Sequence, residues 1–285
     1  ETHPVISQQL PHKAAFALTS RGNDFYSAMT RVAVASLRVS NPKLYVAVAC
    51  DRETDDSIRK AGDSLIREVD EWLVVDTHSG DAGHRNRFVK TKLRLLIDGP
   101  FLFLDSDVFV RGDLCEIFSI DCDIAGARNH SRDTIAEQIW DQDSATLEAM
   151  GWKIGDNVYI NGGVLYYNDT EGARSFATEW HRRWSESSKG GNYHRDQPAL
   201  NSALDAIRPK LVVLPHRFNA QVKATPGVAA DAVIWHYYAS TERRSMKQYD
   251  DLVGRVLHGQ EIDFDQIRGM VGRSYPWLVE DVVDI

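Results

Sequence analysis

The sequence is short of cysteine, of excess positive charge and of long apolar runs, and each shortage removes a class of protein. Three cysteines among 285 residues, Cys50, Cys115 and Cys122, are odd in number and far apart, with no C-x-x-C pair. Neither a disulfide framework nor a cysteine-built zinc site follows from them. Such usage suits a reducing compartment, and a cytoplasmic location is the expectation. Lys and Arg total 33 against 41 Asp and Glu, a formal charge of -8, so no basic excess is available to neutralise a nucleic-acid backbone. No apolar stretch approaches the roughly 20 residues that cross a bilayer, and the opening ETHPVISQQLPHK holds no apolar signal-like segment. An initiator Met is missing as well, as expected of a processed piece of a longer chain. Internal repeats and low-complexity linkers are also lacking.

What is present is the composition of a folded globular chain, 43% hydrophobic and 26% charged. Short β-type runs alternate with helix-type segments: AAFALTS (14–20) then 24–39, KLYVAVAC (43–50) then 54–68, EWLVVDT (71–77) then 88–97, and FLFLDSDVFV (101–110). This order predicts right-handed βαβ units and a mostly parallel sheet flanked by helices. Further strands are expected at 121–129, 157–168, 210–216 and 232–238, and helices at 169–186, 196–206, 241–257 and 263–272. The whole reads as one α/β domain over 1–285, with its core at about 14–238 and a helical C-terminal extension at about 239–285.

FLFLDSDVFV carries two carboxylates one residue apart inside an apolar run. As strand residues i and i+2, Asp105 and Asp107 face the same way, at the strand end where open α/β sheets bind ligands. A solvated turn is the plain explanation. The flanking apolar residues favour burial instead, and a partly buried charge needs a partner or a metal. His236, in VIWHYYAS, is either a packed core histidine or a third ligand. Two carboxylates and an imidazole suit Mn²⁺, with Mg²⁺ as the alternative. In DQPALN, Asp196 and Gln197 precede a Pro at a helix start, so Asp196 is both a natural N-cap and a residue at an anion-favouring helix end. Paired Gly162 and Gly163 inside NVYINGGVLYYN predict a bulge or a close backbone approach to a ligand. On NRFVKTKLRLL, Lys90 and Arg94 read as a solvated helix face.

Taken in order, AFALTSRGNDFYSAMTRVAVASL, TKL, FLFLDSD, NGGVLYYN, DQPALN and WHYY resemble the GT-A-fold glycosyltransferases, and within them family 8, the glycogenin-like retaining enzymes. The resemblance spans roughly residues 14 to 238. It implies a metal held by Asp105, Asp107 and His236, and a nucleotide sugar, a UDP-sugar, as donor. Leu18, Ser20, Asn23 and Tyr26 would surround the uridine, with Ser106 also on the donor and Lys92 reaching its sugar or phosphate. Asn161, Gly162, Gly163, Asp196 and Gln197 would surround the transferred hexosyl group, with Asp196, Gln197 and Lys92 as the catalytic set.

The chain departs from the family at several places. Tyr193 stands where a second acidic residue precedes the Asp-Gln pair. After the metal histidine, Ala239 and Glu242 replace the Gly and Lys that hold the diphosphate, and Arg243, Arg244 and Lys247 are the candidates for the lost charge. Arg85 or Arg87 would stand in for an upstream donor-binding Arg. The implied reaction is hexosyl transfer to an acceptor hydroxyl on a glycan, lipid-linked or protein acceptor, with retention through either a covalent intermediate on Asp196 or front-face attack. Two alternatives stand beside it. A D-x-D after a hydrophobic strand also opens haloacid-dehalogenase-type phosphohydrolases, with Asp105 as nucleophile, and the altered HYYASTERRSMK segment suits a non-catalytic sugar-nucleotide-binding domain. Oligomeric state is open, a homo-oligomer included.

Overall fold

The computed structural model describes residues 12–78, 80–189, 195–222, 226–238 and 247–276. Along the chain run β1 (Lys13–Leu18), α1 (Phe25–Ser40), β2 (Tyr45–Asp51), α2 (Arg52–Ala61), α3 (Leu65–Glu68), β3 (Glu71–Val75), α4 (Ala82–Leu96) and β4 (Phe101–Leu104). There follow β5 (Val108–Val110), α5 (Cys115–Phe118), β6 (Ile124–Arg128), α6 (Ile135–Gln138), α7 (Asp141–Met150), β7 (Ile160–Tyr167), α8 (Glu171–Ser188) and α9 (Gln197–Ile207). The last are β8 (Leu211–Leu214), β9 (Ala220–Gln221), β10 (Ile234–His236), α10 (Lys247–Leu257) and α11 (Phe264–Val271).

Seven strands form the main sheet in the order β3-β2-β1-β4-β7-β6-β8, and three form a small sheet in the order β5-β10-β9. In the main sheet β7 runs antiparallel to β4 and β6, and the other pairings are parallel. The chain is therefore the mostly parallel, helix-flanked α/β fold expected of it. Alternation within the central strands supplies both faces. Phe16, Leu102 and Leu104 pack with Ala33 and Leu37 of α1 on one side. Phe101 and Phe103 pack with Val89 and Leu93 of α4 and Trp180 and Trp184 of α8 on the other. Each fully buried ring of this kind contributes roughly 1.5–3 kcal/mol relative to exposure.

Three expectations change. FLFLDSDVFV is two strands, not one: β4 ends at Leu104 in the main sheet, residues 105–107 turn, and β5 belongs to the small sheet. The helix expected over 54–68 stops at Gly62, which caps α2 in the left-handed conformation. Residues 130–156, given no element by pattern, contain α6 and the longer α7. The C-terminal helices pack back on the fold, with Tyr249, Leu252, Val253, Ile267 and Met270 against Ala28, Met29, Val32 and Ala35 of α1.

Asp81 caps α4 by accepting from the His84 amide. Where α4 meets α8, His181 lies edge-on to Phe88 at 5.0 Å, and its Nδ1 is 2.7 Å from Thr91 Oγ1. Thr91 Oγ1 also donates to the Arg87 carbonyl, so His181 donates from Nδ1. Burial, with Lys92 and then His78 nearby, lowers the His181 pKa to about 4. Between that value and the ordinary 6.5 the unfolded chain binds the proton and the folded chain does not, so stability falls as the pH drops through this window. The melting temperature of the parent is expected to drop more between about pH 7 and about pH 4 than that of His181→Gln. Equal losses in the two proteins would remove His181 as the cause.

Candidate active site

The turn at Asp105-Ser106-Asp107 joins the two sheets, and each acidic residue is tied to a different one. The Asp105 amide donates to the Gly163 carbonyl of β7 at 2.8 Å, and the Tyr237 amide donates to the Asp107 carbonyl at 2.8 Å. Because β10 pairs with β5 in the register His236 to Val108, the imidazole arrives beside Asp107. His236 Nε2 lies 3.2 Å from Asp107 Oδ1. One oxygen from each carboxylate and one ring nitrogen lie within 4.8 Å of one another.

The orientation of the imidazole is set from behind. Its Nδ1 is 2.9 Å from Asn219 Oδ1, and Asn219 Nδ2 donates to Asn161 Oδ1 at 3.0 Å. Asn161 Oδ1 also accepts from the Gly163 amide, which fixes the direction of the amides. The Asn219 oxygen therefore receives the Nδ1 proton, and Nε2, buried and without a hydrogen bond, is turned toward the carboxylates. Two carboxylate oxygens and an imidazole nitrogen oriented by an amide fit a divalent cation.

The opposite wall comes from α4. Lys90 Nζ lies 3.1 Å from Asp105 Oδ1 and 3.2 Å from Asp196 Oδ2, and Arg87 Nε lies 3.0 Å from Asp196 Oδ1. The Lys90 side chain is only 4% exposed. Asp196 occupies the N-cap position of α9 but makes no capping bond with its side chain, so its carboxylate is given to the two cations instead. Trp180 Nε1 donates to its carbonyl at 3.0 Å, and Gln197 Oε1 accepts from the Gly162 amide at 3.2 Å. Burial raises the Asp196 pKa, but Lys90 and then Arg87 outweigh it and hold the group below the ordinary carboxylate range.

Two cavities meet at this cluster. One, of about 570 Å³, is lined by Leu18, Thr19, Tyr26, Asn86 and Ser106 among others. The other, of about 330 Å³, is lined by Asn161, Gly162, Gly163, Asp196, Gln197 and His236 among others. Arg87, Asp105 and Asp107 line both.

Several expected residues lie elsewhere. Ser20 donates to Asp24 and accepts from the Gly22 amide, and Asn23 donates to the Ala61 carbonyl, so both build the loop before α1 and line neither cavity. Lys92 lies over the Phe88 ring at 4.5 Å and lines neither cavity. The reason is helical phase: Arg87, Lys90 and Arg94 fall at i, i+3 and i+7 on one face, and Lys92 points away from it. Lys90 and Arg94 are buried rather than solvated. Arg94 donates to the Gly99 carbonyl and reaches Asp169 at 3.5 Å. Of the two arginines weighed, Arg87 faces the site, whereas Arg85 pairs with Asp51 and Glu53. Tyr193, Ala239, Glu242, Arg243 and Arg244 lie outside the described residues, as does the side chain of Lys247. Asn219 and Asp143 carried no sequence signal, since neither sits in a patterned run.

The glycine pair is necessary for two different reasons. A Cβ on Gly163 would lie 2.2 Å from His236 Cε1, so only glycine lets the imidazole approach. A Cβ on Gly162 would meet Leu200, Asp196 and Lys90 at 3.5–3.7 Å, ordinary contacts, so its bareness leaves room for a ligand. The ladder between β6 and β7 shifts register opposite this pair, as the glycines predicted. Gly163→Ala is expected to lose roughly 1–3 kcal/mol of stability in denaturant unfolding, the usual range for overpacking, with Gly162→Ala close to the parent. The reverse order would contradict the packing described.

By sequence, residues 42–236 match the nucleotide-diphospho-sugar transferase family. No curated protein matches the chain by sequence. Among solved structures it is similar to the galactosyltransferase LgtC in complex with donor and acceptor sugar analogues, at 17% identity and a TM-score of 0.58, over 92% of this chain and 96% of that one. It is similar to mouse xyloside xylosyltransferase 1 in its apo form, at 14% identity and a TM-score of 0.54, over 82% of this chain and 99% of that one. The glycosyltransferase GlyE of Streptococcus pneumoniae TIGR4 resembles it at 18% identity and a TM-score of 0.53, over 92% of this chain and 63% of that one. The phosphohydrolase alternative is not favoured, since the acidic turn follows β4 rather than β1. The chain belongs to the nucleotide-diphospho-sugar transferases, as a GT-A-fold glycosyltransferase of the family-8 type.

Proposed function

We propose that the protein transfers a hexosyl group from a UDP-sugar to an acceptor hydroxyl, with a divalent ion and with retention of anomeric configuration. The observation that carries this reading is the rim of the two cavities, where Asp105 and Asp107 line both and His236 reaches them from the smaller one. The nucleoside fits the larger cavity, where Leu18 gives an apolar wall and Tyr26, 58% exposed, offers a ring face to the base. The diphosphate then bridges the rim, and the sugar enters the smaller cavity beside Gly162.

Asp105, Asp107 and His236 would hold Mn²⁺, or Mg²⁺ in its place, which as a Lewis acid stabilises negative charge on the leaving diphosphate. Arg87 and Lys90 add fixed positive charge at the same place. Asn161 and Gln197 line the sugar's side of the cavity as neutral hydrogen-bonding groups. Asp196 stays ionised at neutral pH, but both its oxygens face a cation. A carboxylate so paired is a poor nucleophile and a good positioner. We therefore read retention as front-face attack: the sugar to phosphate bond breaks, the acceptor oxygen bonds to the same face, and its proton passes to the departing phosphate.

The test is a panel of UDP-sugars assayed for UDP release with and without a chelator, on the parent and on Asp196→Ala. Turnover of at least one donor is expected, abolished by the chelator with the far-UV circular dichroism unchanged. Asp196→Ala should lose on the order of 100-fold in kcat with little change in donor KM, because it acts on the sugar's orientation. UDP binding with no turnover of any donor would favour the non-catalytic alternative, and an unchanged kcat in Asp196→Ala would remove it from the mechanism.

A further inference from the structure

Among the described residues eight large apolar side chains are well exposed, and two of them line cavities: Tyr26 the larger and Trp140 the smaller. Trp140, 41% exposed, stands immediately before α7 on a wall that the transfer chemistry above leaves unused. The His130 ring lies 4.8 Å from Trp140 and 6.2 Å from Tyr238. His130 and Ser131 both adopt left-handed backbone, with φ of 58° and 51°, a costly conformation for side chains of that kind. That turn sets the histidine against the indole.

Next to Trp140 is a carboxylate that needs a reason for its burial. Asp143 is 3% exposed, accepts from Tyr159 Oη at 3.0 Å and from Arg195 Nη1 at 3.1 Å, and lines the smaller cavity together with Arg195. Arg195 also donates to Gln142, which holds the guanidinium in place. Each Asp143 oxygen keeps a further lone pair for a ligand.

We propose, building on the glycosyltransferase reading, that Trp140, Asp143 and Arg195 form the acceptor subsite and that the acceptor is a carbohydrate. An indole face accepts the apolar C–H face of a pyranose, and a fixed carboxylate beside a planar guanidinium offers acceptors and donors to neighbouring hydroxyls. This wall shares the smaller cavity with the residues assigned to the donor sugar and does not reach the larger one. The residues common to both cavities mark the diphosphate, Gly162 and Gln197 flank the donor sugar, and Trp140, Asp143 and Arg195 line the smaller cavity alone. A concave space of about 330 Å³ with an aromatic edge admits sugar rings rather than a protein surface.

The experiment follows the Trp140 indole N–H signal by NMR, assigned with Trp140→Phe, while lactose, maltose and methyl β-xyloside are added at millimolar concentration to the parent. At least one sugar should shift it saturably. Asp143→Asn and Trp140→Ala, read by calorimetry, should each weaken that sugar by about tenfold or more, as loss of a hydrogen bond to a charged group does. UDP binding with Mn²⁺ serves as the check that each variant is folded. No shift from any sugar, or affinities equal to the parent in both variants, would overturn the proposal. A protein that binds the sugars at Trp140 yet fails to bind UDP would instead sink the donor reading and keep the sugar site.

Discussion

Two carboxylates in one turn repel each other, and the architecture around residues 105–107 is what makes their closeness tolerable. With ligand atoms no more than 4.8 Å apart, the repulsion between two such charges is about 3–4 kcal/mol at an effective dielectric near 20. Lys90 offsets it at Asp105, and the His236 ring lies against Asp107. Both partners depend on distant pairings: Lys90 on α4 lying behind the sheet, His236 on β10 joining β5 rather than the main sheet. The turn is therefore the joint between two sheets as well as the centre of the site, and displacing either sheet would expose bare charge.

The same balance explains why anionic ligands suit this place. Asp105, Asp107 and Asp196 face Lys90 and Arg87, three negative groups against two positive, with the His236 imidazole beside them. A divalent cation turns that small negative excess positive, and the two negative charges of a sugar diphosphate return it to the same small excess. Donor and ion are in this account mutually dependent, each supplying charge the other needs. The Asn219–Asn161 amide pair keeps the imidazole nitrogen directed inward without adding charge of its own.

Much of this was legible in the sequence, because the central strands carry apolar runs and the chemistry sits at their ends. Asp105, Asp107, His236 and the Gly162–Gly163 pair could be singled out from residue type and position alone. The geometry joining them could not. A run such as FLFLDSDVFV looks continuous, yet it changes sheets at Asp105, and only tertiary pairing decides that. Lys90 looked like a surface lysine because helix pattern alone does not reveal that three carboxylates would gather beside its face. Lys92 looked better because of its place in the TKL segment, but it lies on the wrong side of the helix. Residues 130–156 were unreadable because short helices with mixed polarity leave no period, although this is the stretch that supplies Trp140 and Asp143.

The most direct measurement is calorimetric titration of UDP into the parent protein and into Asp107→Asn, each with and without Mn²⁺. The account predicts tight binding only when both the ion and Asp107 are present, and weak binding in the other three cases. UDP binding that is equally tight without Mn²⁺, or unaffected by Asp107→Asn, would contradict the claim that the nucleotide and a metal share the turn at 105–107.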